Sequence, residues 1–155
     1  CLGAGAMKSI RVTRVINAPL ERVWAELRRI DRHVMWMADA ESITFQSEQR
    51  EGVGTTFHCR TKVGPIVLND IMDITAWVDH ETMAVRHRGI VSGEGAFTLS
   101  AATTSTTVVW EEALTFPWWM GGPIGAVPAR LILRLIWKGN LRRLAALIES
   151  PSDTV

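Results

Sequence analysis

The segment TTVVWEEALTF at 106–116 carries the carboxylate best suited to acid–base chemistry. Side chains of a strand alternate between two faces, so Glu112 shares its face with Trp110 and Leu114. Those neighbours are too apolar for a solvent face, which predicts that Glu112 points inward. There it could anchor a polar group of a ligand or act as a general acid or base, because burial raises the pKa of a carboxyl that has no cationic partner. The alternative is a structural ion pair with Arg143, which lies on the apolar side of the last helix.

His87 is the second candidate for acid–base work. It shares a strand face with Met83 and Val85, whereas Arg86 and Arg88 share the other face, so we place His87 inward. An inward histidine either forms a hydrogen bond within the core or pairs with the inward carboxylate described above. The sequence does not show whether the two side chains meet.

Other reactive side chains give weaker signals. Asp70 and Asp73 fall on opposite faces of one strand, so one of them points inward, and the pattern does not decide which. The histidines and the two cysteines, Cys1 and Cys59, lack the spacing of a metal site. No phosphate-binding loop or nucleophile elbow is present, so we predict no metal and no cofactor.

The elements that must position these residues follow from periodicity. Period-two patterns and short turns predict an antiparallel meander, with two short helices after the first strand, the second of them at 31–37. A long helix, Gly121 to Glu149, then covers the sheet, and Pro128 either starts its regular part or kinks it. The predicted class is therefore α+β, with strands at 8–16, 42–48, 55–62, 66–77, 82–88, 94–102 and 106–116.

Composition narrows the range of functions. A chain of 155 residues with a net charge of +1 fits one domain and gives no electrostatic footprint for nucleic acid. Seven tryptophans and no tyrosine indicate either ordinary core filling or an indole-walled cavity. Sparse cysteines favour a cytoplasmic location. We expect Met7 to be the natural start after a short remnant at 1–6, and a frayed tail at 150–155.

The order of elements, with INAPLERVWAEL near the N-terminus, resembles the polyketide cyclase/dehydrase and lipid-transport family of the START or Bet v 1-like superfamily (SRPBCC). The pieces that carry the resemblance are Ala18-Pro19 before Val23-Trp24, the Asp31 to Trp36 segment, EGVGT at 51–55, WVD at 77–79 and the long helix. The resemblance covers Lys8 to Glu149 as a single domain. It implies a helix-grip fold, in which a curved seven-stranded sheet wraps the long helix around a cavity that binds apolar small molecules. It supplies no shared catalytic motif.

These observations predict a mostly apolar cavity between sheet and helix, with two polar points. Three functions compete. The first is binding or transport of a lipid-, quinone- or polyketide-like molecule, and the second is a cyclase or dehydratase reaction on a polyketide-like molecule. The third is an interaction protein whose core is filled and whose apolar surface contacts a partner. We expect the cavity to be lined by Met72, Met83, His87, Phe97, Leu99, Trp110, Glu112, Ile132 and Ile136.

The loop FPWWMGGP at 116–123 would lie at the mouth of that cavity, with Trp118 and Trp119 as a gate. Leu131 and Leu135 fall near the basic side of the last helix, beside Arg130, Arg134 and Lys138. An outer apolar patch of this kind is typical of a homodimer interface, of a surface covered by the short helices, or of peripheral membrane contact.

Overall fold

The computed structural model describes residues 9–116 and 122–150, with the side chains of the last helix described from residue 128 onward. The predicted α+β helix-grip architecture is confirmed. Its elements are β1 (Ile10–Ile16), α1 (Leu20–Leu27), a 3₁₀ helix (Ile30–Met35), β2 (Ala40–Phe45), β3 (Thr56–Val63), β4 (Ile66–Val78), β5 (Thr82–Arg88), β6 (Ser92–Ala101), β7 (Thr106–Thr115) and α2 (Gly122–Glu149).

Element boundaries differ from the prediction where side chains replace backbone pairing. β2 ends at Phe45 instead of residue 48, because the Ser47 hydroxyl accepts the Thr56 N–H at 3.0 Å. The second short helix is a 3₁₀ helix that starts one residue earlier than expected. α2 already begins at Gly122, so Pro128 lies inside the helix and does not start it.

The strands form one antiparallel sheet in the order β1-β7-β6-β5-β4-β3-β2. Two register shifts, between Ala40 and Ser42 and between Ile74 and Ala76, interrupt its ladders. Bulges of this kind increase local twist and bend a strand, so they help the sheet to curve. The inward side chains of the curved sheet supply the core.

α2 covers this concave face unevenly. Its C-terminal half buries residues three or four apart, which is the spacing of one helix face. From residue 128 to 136 the described side chains are less buried, and Ile132, which faces the sheet side, is 50% exposed. Thus one end of the sheet is packed and the other is left free. The buried side chains of the packed end are Trp137, Leu141, Leu144, Ala145 and Ile148.

A hydrogen-bond network fixes α2 to the loop before β2. Fully buried Asn140 donates from Nδ2 to Asp39 Oδ1 at 2.8 Å and accepts the Ala38 N–H at 3.0 Å. Arg143 Nε donates to the Trp36 carbonyl at 3.1 Å. Arg143 is therefore occupied here, and the pairing with Glu112 that the sequence left open is not formed.

We predict that His33 makes the fold acid-sensitive. His33 is buried, its Nε2–H donates to the Leu27 carbonyl at 2.7 Å, and burial lowers its pKa to about 4. The unfolded chain takes up a proton near pH 6.5 and the folded chain does not, so stability falls as the pH drops from 6.5 towards 4. That interval corresponds to about 3 kcal/mol.

Urea unfolding at pH 7 and pH 4.5 measures this loss. A His33→Gln variant keeps a donor and cannot become charged, so it should lose less stability than the wild type over the same interval. Parallel losses in the two proteins would contradict the assignment to His33.

Candidate functional site

The free end of the concave face is a cavity of about 230 Å³ between the sheet and the N-terminal half of α2. Its walls are almost entirely aliphatic, thioether and aromatic side chains. Ile66 and Ile132 line it and are 46% and 50% exposed, so the opening lies between the β3–β4 turn and α2. Apolar residues that line it without having been predicted include Phe57, Leu68, Val85, Leu114, Phe116, Ala129, Leu133 and Trp137.

Stacked aromatic rings close the cavity on its packed side. Trp110 stacks on Trp137 with centroids 4.9 Å apart and planes 17° from parallel, and Phe97 lies 4.9 Å from Trp110. Trp36 packs edge-on behind Trp110 at 6.2 Å and belongs to the core, as does Trp24. Both interpretations of the tryptophan content therefore apply, each to different residues.

The predicted lining residues divide into two sets. Leu99 is buried in the core, where it pairs with Val108 at the packed end of the sheet, and it does not reach the cavity. Ile136 packs against the core but lies off the Leu133–Trp137 line that faces the cavity. The residues that do line it are Met72, Met83, His87, Phe97, Trp110, Glu112 and Ile132.

His87 and Glu112 meet across an intervening strand because that strand carries glycine beneath them. They lie on β5 and β7, about 10 Å apart at backbone level. β6 runs between them and places Gly93 opposite His87 and Gly95 opposite Glu112. A Cβ at Gly95 would come closer than 3.0 Å to the Glu112 carboxylate. Gly95 therefore leaves room for the Glu112 side chain to reach His87.

The contact is a buried hydrogen bond of 2.8 Å, in which His87 Nε2–H donates to Glu112 Oε1. The two residues are only 8% and 6% exposed. Burial lowers the pKa of His87, but the hydrogen bond and charge of Glu112, with the charge of Asp70, outweigh it and raise that pKa overall. Glu112 thus has a basic hydrogen-bond partner, so it is not the unpartnered carboxyl that its predicted role as an acid requires.

Within the described part of the chain, the buried carboxyl without a hydrogen-bond partner is that of Asp70. Of the two aspartates of β4, Asp70 is therefore the one that points inward. Asp73 points outward, where its pKa is lowered by hydrogen bonding to Arg88. Asp70 is 4% exposed, lines the cavity, and its Oδ1 has no hydrogen-bond partner among the described residues. Burial raises its pKa, against the opposing attraction of His87 and then of His58.

Asp70, His87 and Glu112 together form what we call the polar belt, a line of ionisable groups that crosses β4, β5 and β7 within the apolar cavity. Cys59 continues it on β3, where it pairs with Asp70. Burial raises the pKa of the Cys59 thiol to about 11, so it stays protonated and is a poor nucleophile.

Two features of the sequence could have located the belt. The segment SGEGAF at 92–97 puts glycine at two successive inward positions of β6, which marks a place where neighbouring side chains can cross. Leu68, Asp70, Met72 and Ile74 alternate on one face, and three apolar members favour that face as the inward one. For Trp137, the signal in the sequence was its place in the four-residue spacing of Leu133, Trp137 and Leu141 on α2.

Several predicted features lie apart from this cavity. Leu131 and Leu135 are exposed as expected, and what covers them stays a prediction. Trp118 and Trp119 lie outside the described residues. In the described part of the chain, no three metal-ligating side chains converge. None of the described helices combines the length and hydropathy that crossing a bilayer requires.

Comparison with known proteins gives the same architecture. No curated protein matches. Among solved structures, TTHA0849 from Thermus thermophilus is 17% identical, with a TM-score of 0.79 over 94% of this chain and 100% of that one. The Zhui aromatase/cyclase from Streptomyces sp. R1128 is 14% identical, with a TM-score of 0.69 over 92% and 94%. A START superfamily protein from Mycobacterium smegmatis is 9% identical, with a TM-score of 0.76 over 91% and 97%.

At these identities the structural likenesses establish the fold alone. The sequence itself supplies the family, because residues 7–149 match the profile described as polyketide cyclase / dehydrase and lipid transport. The chain therefore belongs to the polyketide cyclase/dehydrase and lipid-transport family.

Proposed function

We propose that this protein binds an apolar small molecule in the cavity between the sheet and α2. The observation that carries the proposal is the cavity itself, which has almost entirely apolar walls and an opening framed by Ile66 and Ile132. Apolar side chains lining such a space gain stability when a ligand replaces water. A lipid-, quinone- or polyketide-like molecule fits this chemistry.

The aromatic wall supports a ligand with flat or unsaturated parts. The nearly parallel rings of Trp110 and Trp137 are held by the core behind them, so the cavity already has a defined shape. A preformed wall of this kind reduces the ordering cost of binding. A cytoplasmic site of action stays a prediction, which the free thiol of buried Cys59 fits. Homodimer formation and membrane contact through Leu131 and Leu135 also stay predictions.

A second candidate function is catalysis, and the buried pair of His87 and Glu112 favours it. A protonated imidazole held by a carboxylate can give a proton to a carbonyl or hydroxyl oxygen of a bound molecule. Asp70, in the same belt, is a carboxylate that could remove a proton from a carbon next to that carbonyl. Cyclisation and dehydration of polyketide-like compounds need such steps. The likeness to the Zhui aromatase/cyclase is a likeness of fold, so this candidate depends on the belt alone.

We predict that filling the cavity abolishes binding. Leu68 points into the cavity, whereas its neighbour Val67 does not line it. A Leu68→Trp variant should bind the fluorescent probe N-phenyl-1-naphthylamine at least about tenfold more weakly than the wild type, because the larger indole side chain fills part of the cavity. Probe fluorescence titration measures the affinity.

The matched control is Val67→Trp, which adds the same side chain on the opposite face of β4 and should leave the affinity unchanged. Equal affinities in all three proteins would show that the probe binds elsewhere. Absence of binding to the wild type, by this probe and by a panel of fatty acids, would reject the carrier proposal.

We also predict that Glu112 sets the ionisation of His87. A Glu112→Gln substitution removes the charge that raises the pKa of His87, so that pKa should fall, and a histidine NMR titration would show it. The raised pKa contributes stability that is fully present below pH 6.5 and is lost as the pH rises through the folded value. The variant should therefore lose more stability at pH 6 than at pH 9.

Glu111→Gln is the control, since Glu111 lies on the same strand but on its exposed face. An unchanged His87 titration in Glu112→Gln would contradict the pairing. The catalytic candidate is tested separately by deuterium exchange of the α-protons of 1-tetralone, which His87→Gln should slow. Exchange at the protein-free rate in the wild type would reject catalysis of this kind.

A further inference from the structure

Asp70 is a buried hydrogen-bond acceptor that the described protein does not use. Its Oδ1 is fully shielded and has no partner among the described residues. Buried polar atoms in folded proteins nearly always have a partner, because leaving one unpaired forfeits the hydrogen bonds that it made with water. Asp70 also lines the cavity, and no described residue donates a hydrogen bond to its carboxylate, which indicates a donor that comes with the ligand.

Among the described residues, the hydrogen bonds of the side chains next to Asp70 go to other partners. Nε2 of His87 donates to Glu112 at 2.8 Å, and the Cys59 sulfur lies 3.7 Å from the Thr61 hydroxyl. The backbone also makes room for the carboxylate, because a Cβ at Gly89 would overlap Asp70 Oδ1. Oδ1 thus lies over Gly89 and has no donor among the described residues, while Asp70 itself lines the cavity.

The position of Asp70 along β4 gives the orientation of the ligand. Ile66, at the opening, and Asp70 lie on the same face of the strand, four residues apart, which is roughly 13 Å of extended chain. Leu68 lines the cavity between them. A molecule that enters at Ile66 therefore passes apolar wall before it reaches the carboxylate.

We propose that Asp70 accepts a hydrogen bond from a hydroxyl group of an otherwise apolar ligand, which enters with that hydroxyl first. The ligand class is an alcohol or phenol on an aromatic or alicyclic skeleton. This inference rests on the proposed binding function and adds the polar group that the cavity selects. The His87–Glu112 pair lies beside the same end of the ligand and closes the belt around it.

Two ligands of equal heavy-atom count test the proposal, 2-naphthol and 2-methylnaphthalene. A cavity without a free acceptor would prefer the hydrocarbon, because the hydroxyl would lose its hydrogen bonds with water. We expect the wild type to bind 2-naphthol at least about tenfold more tightly, as a hydrogen bond to a charged group allows. Displacement of N-phenyl-1-naphthylamine gives both affinities.

Asp70→Leu keeps the branched shape of the side chain without its oxygens, and it should reverse the preference while still binding 2-methylnaphthalene. Asp73→Leu removes a carboxylate from the outer face of the same strand and should leave both affinities unchanged. If Asp70→Leu fails to fold, the wild-type comparison still decides, because equal or tighter binding of the hydrocarbon overturns the proposal.

The outcomes separate this inference from the function on which it rests. Binding of neither naphthalene to the wild type would overturn both. Binding of both, without a preference for the hydroxyl, would retain the carrier function and overturn the role of Asp70. A preference for 2-naphthol that persists in Asp70→Leu would also overturn that role, since another belt residue would then accept the hydroxyl.

Discussion

The uneven packing of α2 against the curved sheet is the constraint on which the rest of this structure depends. Trp137, Leu141, Leu144 and Ile148 bury the C-terminal half of the helix, and Asn140 ties that half to the loop before β2. On the N-terminal side of Trp137, the described residues Ala129, Ile132 and Leu133 line a cavity instead of packing on the sheet. The cavity is the space between the curved sheet and this part of the helix.

The polar belt lowers the stability of the fold, so its presence indicates a role other than stabilisation. Three ionisable groups lie within an apolar cavity, where removing charges from water costs several kcal/mol for each ion before partial compensation. The hydrogen bond between His87 and Glu112 offsets part of that cost, and Gly95 of β6 permits it. Asp70 has no such compensation among the described residues. A packed core would contain an apolar side chain at this position, so the belt is better explained by ligand chemistry than by stability.

The sequence was sufficient for the architecture and insufficient for the contacts. Alternation along β5 and β7 correctly placed His87 and Glu112 inward, because period two is a local property of a strand. Their meeting was not predictable, since it depends on which strand lies between them and on the glycine at 95. The alternative ion pair between Glu112 and Arg143 was wrong for a similar reason. The helix pattern placed Arg143 on the apolar side of α2, but its hydrogen-bond partner, the Trp36 carbonyl, is distant in sequence and could not be predicted. Leu99 and Ile136 were placed on the apolar side, as observed, but the boundary between packed core and cavity is set by where α2 docks.

A crystal structure of the protein soaked with 6-bromo-2-naphthol would show whether the cavity binds an apolar ligand with its hydroxyl at Asp70. We expect an anomalous bromine peak inside the cavity on the side of Ile66 and Ile132, with the ligand oxygen within hydrogen-bond distance of Asp70. A bromine peak on the outer face of the sheet, or a cavity that remains without ligand while the protein binds the compound in solution, would contradict it.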